Sequence, residues 1–558
     1  MTITSAGSEL QILPLGGCGE IGLNATLFCV GQDALLIDCG ALLAIERAPG
    51  VEKAVPGFEP LYTGGRRLLG VVLTHGHEDH LGGLPALLAE RDVPVFGTPL
   101  TLAFARSRLE DRGQRVATEA RAQAKGRLIE VPLGGRAQVG PFAFELIRVT
   151  HSIPDSAAIF LETPAGRVLH SGDFKLDATP RDGLTTDVAR LKAIGDQGLE
   201  LCLSDSTNAE RPGHTRSEAV VAETLAQLVA QVEGRVVVSQ VGSHLHRLGA
   251  VADAAIKSGR KICLVGRAVE DSWLLGVATG RLPPDPTLLV VPERVPSHPR
   301  GQIVVIASGA QGEPLGGLAR VAGGEDSALR CLPGDRVILS ARTIPGNERS
   351  VRRIVNQFAK QGVEVVQDNL HPIHCSGHAH QDEQRTLLEL LRPKHFVPVH
   401  GERAMLEAHA KTAISAGVAA ERVLVIEDGE SVVLSAGGLA RGPNEEVSRR
   451  PIDAGGRVLD WGDVRERSRI GRGGLVVCSL ALTPAGRLMM DPAVTVRGFR
   501  DRGGLAQRLA EKAAAIVAGP KPPEGLEARL ERVLKAELRA SRGTPAPELL
   551  LQFLRIDP

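Results

Sequence analysis

The sequence predicts a multidomain α/β protein in which a parallel-sheet domain is inserted into a first domain and a small α+β unit follows. Three features carry this prediction: an early run of short strands broken by glycines, a regular strand–helix alternation in mid-chain, and a later return to loops rich in polar groups. The length of 558 residues exceeds what a single hydrophobic core accommodates.

The first domain begins with a β-meander. Apolar runs at 13–15, 25–30 and 34–38 are separated by glycines, which is typical of neighbouring strands joined by tight turns. Residues 84–150 then alternate helix-like stretches with strands, and 167–170 form a strand that ends in a turn. This part of the chain therefore predicts an α/β layout whose loops carry the polar groups.

In the middle of the chain, strand-like and helix-like stretches alternate regularly, which predicts a parallel sheet. After the apolar strand at 395–399, loops with polar and metal-binding side chains appear again, as in the first domain. The second domain is therefore predicted to be an insertion into the first. The predicted mid-chain elements are helices at 217–233 and 245–258 and strands at 235–239, 261–265, 337–340 and 363–366. The predicted boundaries are 1–210 and 373–445 for the first domain, 211–372 for the insert, 446–462 for a linker and 463–558 for the C-terminal domain.

A helix in the C-terminal domain carries its apolar residues on one face, which predicts docking on a small sheet of the same domain. These residues are Leu526, Leu530, Val533, Leu534 and Leu538.

Composition limits the function. Lys+Arg and Asp+Glu are each 65, so no global field attracts polyanions, and nucleic acid must be held by a local groove. Aromatic residues make up 3%, which excludes an extensive base-stacking platform. No apolar run approaches the ~18 residues of a membrane span, and residues 1–5 lack the pattern of a secretory signal. The eight cysteines form no C-x-x-C pair and indicate reduced thiols, so we expect a cytoplasmic protein.

One loop of the first domain is rich in metal-binding side chains. Residues 74–80 read T-H-G-H-E-D-H and follow the apolar run 68–73. Nitrogen together with carboxylate oxygen suits zinc or a similar divalent ion, and so many candidates exceed the needs of one tetrahedral site, which favours two metals. The alternative is a polar surface loop with solvated histidines. A turn at Gly76 can direct four side chains into one cavity: His75, His77, Asp79 and His80.

Further ligands are expected at the ends of other apolar strands. His151 follows Val149-Thr150, Asp173 lies in an S-G-D-F turn, and His400 closes P-V-H-G-E. Each of them, taken singly, has an alternative role as a capping or turn residue. Asp38 is placed to orient a ligand or the loop without binding metal itself.

Taken together, these motifs resemble a known nuclease family. H-x-H-x-D-H, the lone histidine, the G-D-F turn and the terminal histidine are marks of the metallo-β-lactamase fold. L-S-D-S-T-N at 203–208, C-S-G-H-A at 375–379 and P-V-H-G-E at 398–402 resemble the β-CASP nucleases. G-G-C-G-E-I-G at 16–22, A-Q-G-E-P at 310–314 and R-T-I-P-G-N-E at 342–348 are similar to bacterial ribonuclease J. The resemblance implies an αββα sandwich of metallo-β-lactamase type, an inserted parallel-sheet β-CASP domain and a small α+β C-terminal domain.

The resemblance also implies two divalent ions, zinc in the first place, with manganese or magnesium as alternatives. A carboxylate that bridges two ions about 3.5–4 Å apart offsets their repulsion, and coordination lowers the pKa of water to about 7, so water held there would be the nucleophile. One ion would take His75, His77, His151 and Asp173, and the other Asp79, His80, His400 and the shared Asp173.

Proton transfer is assigned by the same resemblance to His378, with Asp205 as its acidic partner. A carboxylate bonded to an imidazole raises the pKa of that imidazole and fixes its orientation. Asp205 has the alternative role of capping the helix near Ser206, and the two roles can coexist.

A pocket for a 5′ phosphate is implied around the stretch S-H-L-H-R at 243–247. This stretch departs from the expected S-N-h-H-R pattern at His244, and a simple helix N-cap at Ser243 is the alternative interpretation. The implied contacts are Ser243, His246, Arg247, His374 and Ser376.

The implied activity is that of a metal-dependent ribonuclease with 5′ to 3′ exonuclease action, a preference for 5′-monophosphate ends and some endonuclease action, in rRNA processing and mRNA decay. The implied partners are RNA and further copies of the chain, as a homodimer or homotetramer through the C-terminal domain. Three alternatives remain: a DNA-processing β-CASP nuclease, a small-molecule hydrolase acting on thioesters or lactams, and a noncatalytic RNA-binding scaffold. The second would not need the insert, and the intact ligand positions argue against the third.

Overall fold

A computed structural model of the chain describes residues 9–43, 48–111, 118, 127–325, 327–344, 346–501, 503–518, 525–542 and 545–556. The chain divides into two compact units, Met1–Leu43 with Val55–Arg449, and Ala44–Ala54 with Arg450–Pro558. Within the described ranges, no helix combines the length and the apolar character needed to cross a bilayer.

The part of the chain that precedes the inserted sheet supplies most of the first domain. Its strands are β1 (Leu10–Gly16), β2 (Cys18–Gly19), β3 (Ala25–Val30), β4 (Asp33–Ile37), β5 (Leu42–Leu43), β6 (Lys53–Pro56), β7 (Arg67–Val72), β8 (Val95–Gly97), β9 (Leu128–Glu130), β10 (Arg136–Val139), β11 (Phe142–Arg148), β12 (Ala157–Thr163), β13 (Gly166–His170) and β14 (Leu201–Asp205). Its helices are α1 (Glu78–Leu81), α2 (Leu84–Glu90), α3 (Pro99–Leu109) and α4 (Val188–Gln197).

The chain then forms the inserted sheet and afterwards completes the first domain. The insert contains β15 (Val236–Ser239), β16 (Lys261–Val265), β17 (Ile303–Ala307), β18 (Arg336–Leu339) and β19 (Glu364–Val366), with α5 (Glu218–Ala230), α6 (Leu245–Lys257), α7 (Arg267–Ala278), α8 (Gly317–Gly323) and α9 (Glu348–Lys360). The returning segment contains β20 (His395–Val399), β21 (Gly401–Glu402), β22 (Val432–Ser435) and β23 (Gly438–Arg441), with α10 (Gln381–Leu391) and α11 (Arg403–Ser415).

Two sheets of the larger unit pack face to face. One has eight strands in the order β23-β22-β1-β3-β4-β7-β8-β9, and the other has six in the order β10-β11-β12-β13-β14-β20. Ile12 and Phe28 of the first sheet share one buried core with Phe144 and Leu161 of the second. Helices α4, α10 and α11 cover the outer face of the second sheet, and α3 packs on β8 and β9 of the first. This confirms the predicted αββα arrangement.

The insert has a five-stranded parallel sheet in the order β16-β17-β15-β18-β19. Its β-branched strands are buried on both faces, as expected for a sheet covered by helices. Strands β14 and β20 are parallel neighbours in the second sheet of the sandwich, although the whole insert lies between them in sequence. The polar loops of the returning segment are thereby brought beside the polar loops of the part of the chain that precedes the insert.

The smaller unit has its own core. The elements that end the chain are β24 (Arg449–Ile452), α12 (Trp461–Gly473), β25 (Leu475–Leu482), β26 (Ala493–Arg497), α13 (Leu505–Val517), α14 (Leu526–Arg542) and β27 (Glu548–Arg555). The apolar helical face predicted from the sequence lies in α14, where Leu530, Leu534 and Leu538 are buried against the sheet β26-β25-β27. The stretch 446–462, predicted as a linker, contains β24, in which Pro451 and Ile452 are buried, and the start of α12.

Candidate metal centre

The loop after β7 is held in place by a buried aspartate. The backbone N–H of Thr74 donates to Oδ1 of Asp38, and the Thr74 hydroxyl donates to Oδ2, both at 2.8 Å. Asp38 is 1% exposed and has a φ of 60°, which non-glycine residues rarely adopt. Strain of this kind persists where the surrounding contacts fix the backbone, often at a functional site. Asp38 therefore orients the loop that carries the four clustered candidate ligands.

The first group of ligand atoms contains three imidazoles that face one another. Nε2 of His75 lies 3.0 Å from Nδ1 of His77, and Nε2 of His151 lies 3.1 Å from the same atom. Burial lowers the pKa of all three rings, that of His77 to about 4. The rings are therefore neutral at pH 7, and nitrogen lone pairs converge on one point. Oδ2 of Asp173 completes this group, 3.6 Å from His75 and 3.7 Å from His151.

The other ring nitrogens of these three histidines have partners of their own. Nδ1 of His151 donates to the Gly377 carbonyl at 2.7 Å, and Nδ1 of His75 lies 3.0 Å from the Thr74 hydroxyl. Nε2 of His77 lies 3.3 Å from the Ser152 hydroxyl. Such contacts fix the tautomer of a metal-binding histidine and the orientation of its ring. Each ring thus presents a defined nitrogen to the group.

The second group again contains Asp173. Nε2 of His80 lies 3.2 Å from Oδ2 of Asp173, and Nε2 of His400 lies 3.6 Å from Oδ2 of Asp79. Nδ1 of His80 donates to Asp38 at 2.8 Å, which leaves Nε2 to face Asp173 and the side-chain amide of Asn24, whose Nδ2 lies 3.0 Å away. Nε2 of His400 is buried without a hydrogen-bond partner among the described residues. A cation beside it would satisfy this atom.

The donor sets fit two divalent ions. One ligand atom from each of His75, His77, His151 and Asp173 lies within 4.8 Å of the others, and the same holds for Asp79, His80, Asp173 and His400. Imidazole nitrogen with carboxylate oxygen suits zinc and related ions, and a carboxylate common to both sets can bridge a metal pair. The seven candidates that the sequence spreads over four distant stretches are therefore brought together by the fold.

His378 adjoins this cluster. Its Nδ1 lies 2.8 Å from Oδ2 of Asp205 and 3.8 Å from Oδ2 of Asp173. Burial would lower the pKa of His378, but the carboxylates of Asp205 and Asp173 raise it to about 9. The side chain remains 20% exposed, whereas that of Asp205 is 1% exposed. His378 is thus a partly exposed imidazole whose orientation is fixed by the buried carboxylate of Asp205.

The helix near Ser206 that Asp205 was predicted to cap is not formed, because residues 207–210 make a turn. Oδ1 of Asp205 instead stabilises this turn and accepts from the backbone N–H and the hydroxyl of Thr207 at 2.9 and 2.7 Å. Oδ2 is left for His378.

The segments proposed to line a phosphate pocket lie side by side. Arg247 Nη1 donates to the Ile373 carbonyl at 3.0 Å, which joins the start of α6 to the loop 373–376. Ser243, His374 and Ser376 are partly exposed, and His246 is 5% exposed. The side chain that caps α6 is that of His244, which accepts from the Arg247 N–H at 3.2 Å, so the predicted cap at Ser243 is displaced by one residue.

Arg247 itself is fully buried. Its guanidinium is 0% exposed and donates to Glu218 at 3.1 Å, to the Ser340 hydroxyl at 2.6 Å and to Ile373. Its donors are used within the protein, so Arg247 ties the start of α6 to Glu218 and to the loop 373–376.

Sequence reasoning missed two features of this region. Glu218, 2% exposed, accepts from Arg247 and from the Cys375 thiol, and lies 3.9 Å from Lys175. Nothing in the stretch around Glu218 distinguishes it from an acidic residue in an exposed first helical turn. Gln240, 1% exposed, has neither amide atom hydrogen-bonded within the described chain. Its position directly after β15 is the one signal that could have drawn attention to it.

Comparisons with known proteins agree with this architecture. Four family models match in chain order: the metallo-beta-lactamase superfamily over residues 19–227, the ribonuclease J beta-CASP domain over 233–358, a Zn-dependent metallo-hydrolase RNA specificity domain over 362–424, and the ribonuclease J C-terminal domain over 462–542.

Similar proteins cover nearly the whole chain. Ribonuclease J of Thermus thermophilus is 36% identical over 96% of this chain and 93% of its own length. Ribonuclease J of Helicobacter pylori is 33% identical over 94% of this chain and 77% of its own. A crystal structure of a protein of unknown function from Enterococcus faecalis shares the fold with a TM-score of 0.54 at 16% identity, and covers 76% of this chain and 100% of that one.

Proposed function

Because the chain belongs to the ribonuclease J family and is a metal-dependent ribonuclease, we propose that it degrades RNA from the 5′ end, prefers a 5′ monophosphate and also cleaves internally. The observation that carries the proposal is the sharing of Asp173 by two sets of ligand atoms directly beside His378. Phosphodiester hydrolysis requires that combination: neutralisation of charge on phosphorus and a proton for the leaving oxygen.

We assign one ion to His75, His77, His151 and Asp173, and the other to Asp79, His80, His400 and Asp173. When bound, two such ions polarise the phosphodiester and lower the pKa of water. Zinc is the metal proposed first, because three neutral imidazoles dominate the first set, and manganese is the alternative for the more oxygen-rich second set.

The chain's own residues act around these ions. Asp38 fixes the ring of His80 through Nδ1, and the Gly377 carbonyl fixes that of His151. His378, oriented by Asp205, would hold its proton on Nε2 towards the leaving 3′ oxygen and release it there as the bond breaks. The buried carboxylate keeps the imidazole charged before the proton is transferred.

The preference for a monophosphate is proposed to come from a closed end of the cleft. Ser243 and His246 at the start of α6, with His374 and Ser376 on the facing loop, are the groups assigned to the terminal phosphate. The amide end of a helix also favours an anion. Ser376 is itself positioned, because its hydroxyl accepts from Asn208 at 2.8 Å and from the His378 N–H at 3.2 Å. Arg247 is assigned a positioning role in the wall.

Three further points belong to the same proposal. The chain is expected to form a homodimer or homotetramer through the C-terminal domain, to act in the cytoplasm, and to have the domain boundaries given by the sequence. Light scattering of the full chain, compared with a form that ends at residue 445, tests the first point.

The decisive experiment digests one RNA that bears either a 5′ monophosphate or a 5′ triphosphate, with the metal content measured on the same sample. We expect mononucleotides to be released progressively from the monophosphorylated RNA and slower, internal cleavage of the triphosphorylated RNA. Equal rates on both ends would contradict the closed pocket. Single-stranded DNA of the same sequence separates the proposal from a DNA-processing nuclease, which would degrade the DNA at least as fast as the RNA.

A further inference from the structure

One helix of the insert carries a row of exposed cations. Helix α9 reads E-R-S-V-R-R-I-V-N-Q-F-A-K, and Val351, Ile354 and Phe358 bury its inner face. We call the opposite side the α9 basic face, defined as Arg349, Arg352, Arg353 and Lys360.

The α9 basic face is continuous. At 3.6 residues per turn its four cations, with Asn356, fall within about 100° of arc and extend for about 16 Å along the helix. They line an open groove of about 580 Å³ together with Asn356, Gln357 and Glu348. Glu348 is the one acidic side chain of the groove, and its carboxylate accepts from the Gly346 N–H at 2.8 Å.

The charges of this face are not neutralised within the described part of the chain. None of the four cations has a carboxylate within 4.0 Å there, whereas Arg336 and Arg247 of the same domain are paired with Glu364 and Glu218. The chain as a whole has zero formal net charge. A local concentration of unpaired guanidinium groups therefore stands out against a neutral molecule, and such a concentration attracts a polyanion.

The α9 basic face starts at the edge of the insert from which the loop before α6 also leaves. Parallel strands β15 and β18 end side by side, with Ser239 opposite Leu339, so the loop before α6 and the loop before α9 leave the same edge. Ser340, which opens the second loop, donates to the Ile373 carbonyl at 2.6 Å. Burial lowers the pKa of His374 to about 3, with the charges of Arg247 and Arg342 among the further causes, so Arg342 lies in electrostatic range of the pocket. Helix α9 then leads away from it.

The chemistry of the face selects the partner. It offers guanidinium, ammonium and amide groups and no aromatic or aliphatic side chain. Guanidinium groups bind phosphate oxygens in pairs, and amides suit sugar hydroxyls and base edges. The central anchors of a protein interface commonly include Trp and Tyr beside Arg, and the α9 basic face has neither aromatic residue.

We infer that the α9 basic face binds the sugar-phosphate backbone of the RNA substrate beyond the nucleotides held in the metal centre. This inference rests on the proposed ribonuclease activity and adds a second anchoring surface to it. It gives the neutral protein the local groove that a polyanion needs.

The test compares two triple variants of the full chain. R349Q/R352Q/R353Q removes three cations from the face. K257Q/R294Q/R330Q removes three exposed cations of the same domain that precede the amino ends of β16, β17 and β18, one at the last residue of α6 and two in connections. Each enzyme is given a 5′-monophosphorylated trinucleotide, which is confined to the active site, and a long unstructured RNA of the same base.

For the variant R349Q/R352Q/R353Q we expect kcat/KM on the long RNA to fall at least tenfold at low salt because KM rises. The trinucleotide should be cleaved as fast as by the wild type. The slope of log kcat/KM against log salt should decrease by about two units, as expected for the loss of three phosphate contacts on a single strand. The control variant should retain most of the activity on both substrates.

An unchanged KM for long RNA, an equal loss on the trinucleotide, or an equal loss in the control variant would overturn the inference. So would a change in oligomeric state confined to the face variant, since the face would then be a contact between copies of the chain. A wild-type enzyme that fails on the trinucleotide would instead count against the proposed function. Direct binding of the long RNA to both variants, measured without cleavage, then still tests the face.

Discussion

Nδ1 of His378 lies 2.8 Å from Oδ2 of Asp205, while Oδ1 of the same carboxylate holds Thr207. One buried aspartate thus fixes an imidazole from the returning segment against the end of β14, although 173 positions separate the two residues. With Asp173 and His400 the pair forms a third group of possible ligand atoms, but neither residue belongs to the two sets that contain His75 or His80.

His378→Ala should therefore keep both metals and lose cleavage. We expect kcat to fall by about 100- to 10,000-fold, the usual contribution of a general acid. Metal analysis and RNA digestion on the same preparation check this, with His298→Ala as the control. Asp205→Asn should show a milder loss. A His378→Ala protein that also loses its metals would place this side chain among the ligands.

Asp173→Ala, in contrast, should lose bound metal together with cleavage. Asp173 is common to both donor sets, so its removal takes an oxygen from each ion and exposes them to mutual repulsion. We expect metal content to fall sharply and activity to be lost with it. Asp196→Ala, which replaces an exposed aspartate paired with Arg392, is the control. Unchanged metal occupancy would rule out the bridging assignment.

Asp38→Asn should weaken metal binding without removing a ligand. The carboxylate accepts from Thr74 twice and from Nδ1 of His80, so the amide loses charge and cannot satisfy all three donors. Loss of such an outer partner costs about 10- to 100-fold in metal affinity. Titration against a competing chelator measures it, and an unaltered affinity would refute the orienting role.

The sequence singled out the side chains that the fold brings together because each combines a metal-binding group with a position at the end of a strand. A histidine or aspartate that follows an apolar strand can be recognised from the sequence alone, and His151, Asp173 and His400 were identified in that way. The parallel sheet of the insert was predicted to within one to three residues for most of its elements, because strand–helix alternation is a local signal.

Long-range pairing was not predictable in the same way. Arg247 was expected to face the phosphate, but Glu218 lies 29 residues away and takes the guanidinium into the interior. Gln240 gave no periodic signal. The strand at 449–452 was not predicted, because the glycines, prolines and charged residues around it are typical of a linker. The burial of Pro451 and Ile452 depends on tertiary contacts, which the local sequence does not reveal.

The Arg247–Glu218 pair gives a stability prediction. Glu218→Gln leaves a fully buried guanidinium without its counter-charge, which costs about 3–5 kcal/mol when one partner of such a pair is removed. Asp196→Asn breaks an exposed pair, and its effect should be at most about 1 kcal/mol. Urea unfolding of both variants against the wild type measures the difference. Equal effects would show that Arg247 is not held as described.

A pH prediction follows from Asp428. Burial, and then the nearby charge of Glu20, raise the pKa of this carboxyl to about 8, and its Oδ1 accepts from the Cys18 N–H at 2.8 Å. Between about pH 4 and pH 8 the folded state thus holds a proton that the unfolded chain has released, because the ordinary aspartate pKa is 3.8. The free energy of unfolding therefore falls as pH rises from about 4 to about 8. Asp428→Asn should unfold at higher urea than the wild type at pH 9 and at nearly the same urea at pH 4. A variant with no advantage at pH 9 would contradict the shift.

The most direct measurement is the number of metal ions per chain in the purified protein, followed by removal with a chelator and reloading with zinc or manganese, with RNA cleavage assayed at each stage. We expect two ions per chain, loss of cleavage when they are removed and its return when they are reloaded. A folded protein that takes up no ion, or one that cleaves RNA equally well when stripped, would contradict this expectation.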